Sequence, residues 1–286
     1  MAVVTDLPPV RRTVTTTRIV SVRNGDAMER ADDVVTEEPM EIRLAGPRGG
    51  APVSVAVTMR TPGHDFELAV GLLCSEGLAS PGDVTAVRYC ELPEESTQRF
   101  NIVTVRLRHP PSLDAIPARR FDMSASCGLC GKASLDELAA HCPVVTPGPV
   151  VRGSVVSALP GILAEQQHVF AATGGLHAAG LFQPDGAVLV VREDVGRHNA
   201  VDKIVGWACL ADRLPLTGCL LMVSGRVSFE IVEKAAMAGI GLVAAVSAPS
   251  SLAVDAARRF GVTLVGFVRN GRYNIYAGDK RLDPSR

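Results

Sequence analysis

The stretch Cys219-Leu220-Leu221-Met222-Val223-Ser224-Gly225-Arg226-Val227-Ser228-Phe229-Glu230-Ile231-Val232-Glu233-Lys234-Ala235-Ala236-Met237-Ala238 decides the fold class. An unbroken apolar run closed by Ser-Gly-Arg reads as a buried strand over 219–224, and the apolar positions after it recur at helical spacing over 229–238. Downstream the pattern repeats as a strand at 241–247, a helix at 252–260, a strand at 263–268 and an edge strand at 272–276. Upstream it is preceded by a helix at 155–168, strands at 178–182 and 188–192, and a helix at 199–211. Short apolar strands alternating with amphipathic helices predict helices packed on a largely parallel sheet. Ligands of such sheets gather at the carboxyl ends of the strands. Three Gly-, Ser- or Arg-bearing segments leave strand ends here: 192–199, 224–228 and 247–251.

The N-terminal part has a different rhythm. Strands are predicted at 14–22 and 34–44 and, after the turn Gly46-Pro47-Arg48-Gly49-Gly50, at 52–59. A helix over 64–80 that stops near Gly77 and strands at 84–91 and 100–107 complete a small α+β unit. The pattern breaks over 109–132, which is rich in Pro, Ser, Gly and Cys, and again over 143–149, with one or two helical turns at 135–140 between them. The expected organisation is a disordered N-terminus (1–12), an N-terminal α+β domain (13–108), a linker (109–152) and a C-terminal α/β domain (153–286). The fold class is α/β locally and α+β overall.

Composition narrows the function. The chain has 286 residues, 47% hydrophobic and 21% charged, which excludes a disordered chain, a collagen-like repeat and a coiled-coil rod. With 29 basic and 30 acidic residues the formal net charge is −1, so no whole-chain field collects nucleic acid or an anionic membrane. Any anionic ligand must be held by a local cluster. All but four of the basic residues (Lys132, Lys203, Lys234 and Lys280) are arginines, which a GC-rich genome explains as well as phosphate binding does. No apolar run reaches the roughly 18 residues that span a bilayer, and residues 1–12 lack the apolar core of a secretory signal. Seven cysteines at scattered positions are not a disulfide scaffold. The expectation is a cytoplasmic protein with reduced thiols.

Four segments could carry chemistry. In Ser124-Ala125-Ser126-Cys127-Gly128-Leu129-Cys130-Gly131-Lys132, two cysteines at CxxC spacing can share a metal, form a redox disulfide or pass sulfur as a persulfide. The spacing alone does not choose. A structural zinc would need two further ligands, and no second CxxC is present, although His141 and Cys142 lie close in sequence. A thioredoxin-like motif belongs between a strand and a helix, whereas this one sits in a Pro-rich loop. The second segment, Arg192-Glu193-Asp194-Val195-Gly196-Arg197-His198-Asn199-Ala200-Val201-Asp202-Lys203, concentrates charges of both signs at a strand-to-helix junction, where a helix N-terminus favours anions. This is either a solvated loop with salt bridges or a binding segment, and the density of charge favours binding. His198 could be an acid/base, a phosphate ligand or a hydrogen-bonded structural residue. Third, the turn Ser224-Gly225-Arg226 offers backbone amides and a cation to a phosphate, without the full glycine pattern of a nucleotide loop. Ser247-Ala248-Pro249-Ser250-Ser251 repeats the geometry one strand later. Fourth, Phe267-Val268-Arg269-Asn270-Gly271-Arg272 offers two arginines at a turn beside aromatics, a nucleotide edge that is also a strong hairpin signal.

Taken together, the CxxC segment, the charged segment, the Ser-Gly-Arg turn and Thr61-Pro62-Gly63-His64-Asp65-Phe66-Glu67-Leu68-Ala69 resemble the FdhD family of formate dehydrogenase accessory proteins, over about residues 15 to 280. The resemblance implies a C-terminal domain similar in fold to cytidine deaminases, a three-layer α/β arrangement. The deaminase zinc signature is missing at the matching helix starts, so no catalytic metal is expected there. The resemblance further implies a sulfur carrier that acts as a sulfurtransferase. It would receive sulfane sulfur from a cysteine desulfurase and deliver it to the molybdenum cofactor, as bis(molybdopterin guanine dinucleotide), before insertion into formate dehydrogenase. The persulfide would fall on Cys127, with Cys130 as partner thiol. The cofactor-binding stretch would fall on Phe267, Val268, Arg269, Asn270, Gly271 and Arg272, with Arg197, His198, Ser224, Gly225 and Arg226 as the anion-binding companions. Two guanine nucleotide ends suit a homodimer. Two other readings of the residues remain: a non-covalent cofactor-binding chaperone, and a zinc or redox CxxC protein.

Overall fold

The computed structural model describes residues 3–4, 12–47, 51–90, 100–109, 121–123 and 142–284. The N-terminal part contains β1 (Val3–Val4), β2 (Val14–Arg23), β3 (Asp26–Val35), β4 (Glu38–Ala45), β5 (Val53–Arg60), α1 (Asp65–Ser75), β6 (Val84–Tyr89), β7 (Ile102–Leu107) and β8 (Phe121–Met123). Then follow β9 (Val151–Arg152), α2 (Gly153–Glu165), α3 (His168–Thr173), β10 (His177–Phe182), β11 (Val188–Asp194), α4 (Arg197–Leu210), β12 (Leu220–Val223), α5 (Phe229–Met237), β13 (Leu242–Ala245), α6 (Ser251–Phe260), β14 (Thr263–Arg269), β15 (Arg272–Ala277) and β16 (Leu282–Asp283). One six-stranded sheet has the order β1-β6-β7-β4-β5-β8 and a second the order β11-β10-β12-β13-β14-β15. The chain is α+β overall.

The second sheet shows why the central strands read as continuous apolar runs. In β12 and β13, Leu221, Val223, Val243 and Ala245 enter one apolar layer with α4, α5 and α6, while Leu220, Met222, Leu242 and Ala244 enter another with Val155, Val156, Leu159 and Leu163 of α2. Both faces are covered, so no position along these strands is left for a polar residue. The sheet is mixed rather than largely parallel: β11, β12, β13 and β14 run in one direction, and β10 and β15 run against them.

Two other expectations need correction. The strand predicted at 34–44 is two strands, because β3 ends at Val35 in a hairpin with β2 and β4 belongs to the first sheet. Residues 26–33 showed no alternation because the hairpin is exposed on both faces, and Asn24 and Gly25, with φ of 54° and 94°, make its two-residue turn. The helix predicted over 155–168 breaks at Gln166 and Gln167. The next helix, α3, starts where the amides of Val169 and Phe170 donate to the carboxylate of Glu193 (3.0 and 2.8 Å), an N-terminal cap supplied from another element.

The two halves meet where α1 crosses α4. A Cβ added to Gly71 would collide with the carbonyl of Asp202, and one added to Gly206 with the carbonyl of Glu67. Only glycine permits this backbone-to-backbone approach. Around it, Leu68, Leu72, Val201, Ile204 and Val205 belong to one apolar layer shared with the first sheet's Ile42, Val103 and Val105.

Candidate functional site

The charged segment is largely an internal staple. Asp194, fully buried at the end of β11, accepts from the amides of Thr61 (3.2 Å) and Gly196 (2.8 Å) and from Asn199 Nδ2 (2.9 Å), and pairs with Lys203 Nζ at 2.7 Å. Lys203, 1% exposed, also donates to the carbonyls of Thr61 and Glu193. Asn199 donates to the carbonyl of Met59 and accepts from Thr58. Arg192 grips Glu67 of α1 with Nε and Nη2 (2.5 and 2.7 Å), holding that carboxyl below its ordinary range despite burial. Asp202 and Lys234, both buried, pair at 2.9 Å across α4 and α5, with Glu76 at 3.4 Å. Thr61 to Ala69 forms the receiving corner. Its Asp65 is held by the fully buried Arg60 (3.2 and 2.9 Å) and by Tyr89 Oη. The density of charge that suggested binding is therefore mostly the polar seam that orients α1 against β11 and α4.

Arg197 and His198 are half-buried at the start of α4. One end of the second sheet brings together the end of β11, the start of β10 and the carboxyl ends of β12 and β13. His177 stands opposite Asp194, the Ala178 amide donates to Ser224 Oγ (2.9 Å), and the Val227 amide donates to the Ala248 carbonyl (3.2 Å). Gly225 lets two side chains converge, since a Cβ there would lie 3.2 Å from His177 Nδ1 and 3.9 Å from Arg197 Cδ. Arg197 opens α4, and its buried Nε has no hydrogen-bond partner among the described residues. Neither Gly196 nor Ser228 caps its helix through a side chain, and at the start of α5 the Glu230 carboxylate accepts from its own amide. Arg197, Gly225 and Arg226 thus share one corner of the sheet.

Two imidazoles line it. His198 Nε2 shares a hydrogen bond with Ser228 Oγ at 3.0 Å and lies 3.7 Å from Glu230. Burial, and then the charges of Lys234 and Arg197, push its pKa down to about 4. His177 is lowered by burial, Arg197 and Arg226. Both are neutral at pH 7 and add no charge of their own. The consequence for stability has a definite sign. An unfolded histidine takes its proton near pH 6.5 while folded His198 refuses it until about 4. Stability is present above pH 6.5 and is lost as pH falls through that window, by about 1–2 kcal/mol at pH 5. Urea unfolding at pH 7 and pH 5 should show that loss, and His198→Gln should reduce it.

The other end of the same sheet edge carries Phe267 to Arg272. The Phe267 amide donates to the Ser247 carbonyl (3.2 Å), and Phe267 adopts φ 55° within a bulge between Gly266 and Arg269. A bulky residue in the left-handed region is uncommon and marks a position held by its surroundings. The Arg269 guanidinium lies 5.9 Å from the Phe267 ring centroid. Asn270 and Gly271, at φ 51° and 74°, turn the hairpin, leaving Arg269, Asn270, Gly271 and Arg272 exposed while Val268 is buried in the core. The hairpin signal and the exposed cationic edge coexist.

Ser224 also has a structural part. Half-buried, it extends the β10–β12 ladder through its hydroxyl, which accepts from the Ala178 amide. His177, Ser228 and Glu230 were not singled out from sequence. His177 lies some 50 residues from the Ser-Gly-Arg turn and joins it only through the pairing of β10 with β12. Cys127 and Cys130 lie outside the described residues, as do the turns predicted at 135–140. Among the described residues no three His, Cys, Asp or Glu side chains are grouped to hold a metal ion, and no helix is long and apolar enough to cross a membrane.

This architecture has known counterparts. The crystal structure of a candidate formate dehydrogenase accessory protein from Desulfotalea psychrophila superposes with a TM-score of 0.73, covering 95% of this chain and 100% of the other at 23% identity, which establishes the fold. The sulfur carrier protein FdhD of Nocardia farcinica is 47% identical over 269 residues, 93% of each chain. Its namesakes in Streptomyces coelicolor (48% over 274 residues, 93% of this chain and 94% of the other) and Mycobacterium tuberculosis (46% over 276 residues, 93% and 97%) are comparably similar. The FdhD/NarQ family matches residues 35–283, so the polar seam, the corner at Arg197 and Gly225 and the cationic hairpin all lie within the matched region. The chain belongs to the FdhD/NarQ family.

Proposed function

We propose that the protein is a sulfur carrier that loads sulfur onto the molybdenum cofactor destined for a formate dehydrogenase. Two facts support this: relatives of near-equal length and about 47% identity are named sulfur carriers, and the chain holds a CxxC pair between its two sheets' main segments. The Cys127 thiolate attacks the outer sulfur of a cysteine desulfurase persulfide. The S–S bond of the donor breaks, its cysteine leaves as thiolate, and Cys127 becomes the persulfide. Delivery follows when Cys130 attacks the inner sulfur, leaving a Cys127–Cys130 disulfide and releasing the outer sulfur as hydrosulfide to the metal. The disulfide route requires a reducing thiol for each new cycle.

The cofactor, bis(molybdopterin guanine dinucleotide), is the client. The observation that carries the binding side is the corner at Arg197, His198, Gly225 and Arg226, where two guanidiniums and two helix N-termini with no side-chain cap share one sheet edge with Phe267 to Arg272. Phosphates suit the first and a guanine base suits the second, with Arg269 and Phe267 as stacking surfaces.

Guanosine diphosphate binding measured by calorimetry tests this placement. Arg197→Ala and Arg226→Ala should each weaken binding about tenfold or more, the usual loss for a charge-assisted contact, while circular dichroism stays that of the wild type. Undiminished affinity in both variants would place the nucleotide elsewhere.

A further inference from the structure

We propose that Cys74 and Cys209 form a reversible oxidation site, at which a hydroperoxide joins their sulfurs as a disulfide that staples α1 to α4. Cys74 sits one turn beyond Gly71 on α1, and Cys209 one turn beyond Gly206 on α4, so the glycine crossing sets their spacing. Their Sγ atoms lie 3.5 Å apart. A disulfide needs about 2.0 Å, and with the helix backbones already in contact the remaining approach is a side-chain adjustment.

The pair is also polarised for the reaction. Cys74, buried, donates its S–H to Cys209, which is half-exposed. That hydrogen bond lowers the pKa of Cys209 and, with burial, raises that of Cys74. Cys209 is thus both the more accessible sulfur and the better nucleophile, and Cys74 is the sulfur positioned to resolve what forms on it. The Cys209 thiolate attacks one peroxide oxygen, the O–O bond breaks and hydroxide leaves, giving a sulfenic acid. Cys74 then attacks that sulfur, the S–O bond breaks and water leaves as the S–S bond forms. Two thiols lose two electrons in total, and hydrogen peroxide becomes two waters. The staple would tie the helix that carries Arg197 and His198 to the N-terminal half.

The test uses the full-length chain treated with hydrogen peroxide, blocked with N-ethylmaleimide and digested with trypsin without reduction. Cleavage after Arg60, Arg88, Lys203 and Arg213 yields peptides 61–88 and 204–213, each with a single cysteine. The expected product is these two peptides disulfide-linked, separated by a reducing thiol and absent from Cys209→Ser. In a Cys127→Ser/Cys130→Ser background, oxidation should raise Tm by about 5 °C, reversibly, as expected for a cross-link closing a long loop. Recovery of both peptides unlinked, or of Cys209 linked to a different cysteine or taken to sulfinic acid, would overturn the proposal.

Discussion

Gly206→Ala is expected to cost about 3–5 kcal/mol of folding stability, enough to unfold much of the population near physiological temperature. The added methyl would occupy the place of the Glu67 carbonyl, and its counterpart at Gly71 that of the Asp202 carbonyl. Neither obstacle is a flexible side chain that can swing aside, so α1 and α4 must separate. Separation opens the apolar layer that both sheets share, where Leu68, Leu72, Val201 and Ile204 are all at most 1% exposed. The sign is opposite to that of alanine in an ordinary helix. Gly161 on α2 has open space around its missing Cβ, and Gly161→Ala should be neutral or stabilising by up to about 1 kcal/mol. Urea unfolding of the two variants side by side separates the close-approach effect from helix propensity.

The second large effect is at Asp194. Asp194→Ala removes the counter-charge of Lys203, 2.7 Å away and 1% exposed, and leaves the amides of Thr61 and Gly196 without their acceptor. A buried charge deprived of its partner costs about 3–5 kcal/mol. The loss should be strongly non-additive. Adding Lys203→Met removes the orphaned ammonium, and the double variant should lie well above the sum of the single losses in a urea double-mutant cycle. Additive losses would mean that Lys203 is held by the carbonyls of Thr61 and Glu193 alone. Because Asp194 acts on folding, any loss of sulfur delivery in these variants should track the fraction of folded protein.

What the sequence made legible follows from burial. The strands at the centre of the second sheet are covered on both faces, so β12, β13 and β14 stand out as apolar runs between turn residues. The hairpin β2–β3 has almost no buried face. The stretch Asp26-Ala27-Met28-Glu29-Arg30-Ala31-Asp32-Asp33 therefore carries no periodic signal, and only Asn24-Gly25 betrays it. At the site, Arg197, His198, Gly225 and Arg226 were found because they flank helix starts, while His177 becomes a neighbour only through strand pairing. The charged segment shows the limit most clearly. Asp194, Asp202 and Lys203 look like surface charge in one dimension, yet each is at most 1% exposed because its partner comes from a distant element, Thr61 of the first half or Lys234 of α5. Local sequence cannot distinguish a charge that meets water from one that meets its counter-charge in the core.

If Cys127 carries the sulfur, as proposed, intact-protein mass spectrometry after incubation with a cysteine desulfurase and cysteine will show it. The wild-type chain should gain the mass of one sulfur atom, a reducing thiol should remove it, and Cys127→Ala should gain none. No added sulfur on the wild type beside a working desulfurase control, or an undiminished gain in Cys127→Ala, would contradict it.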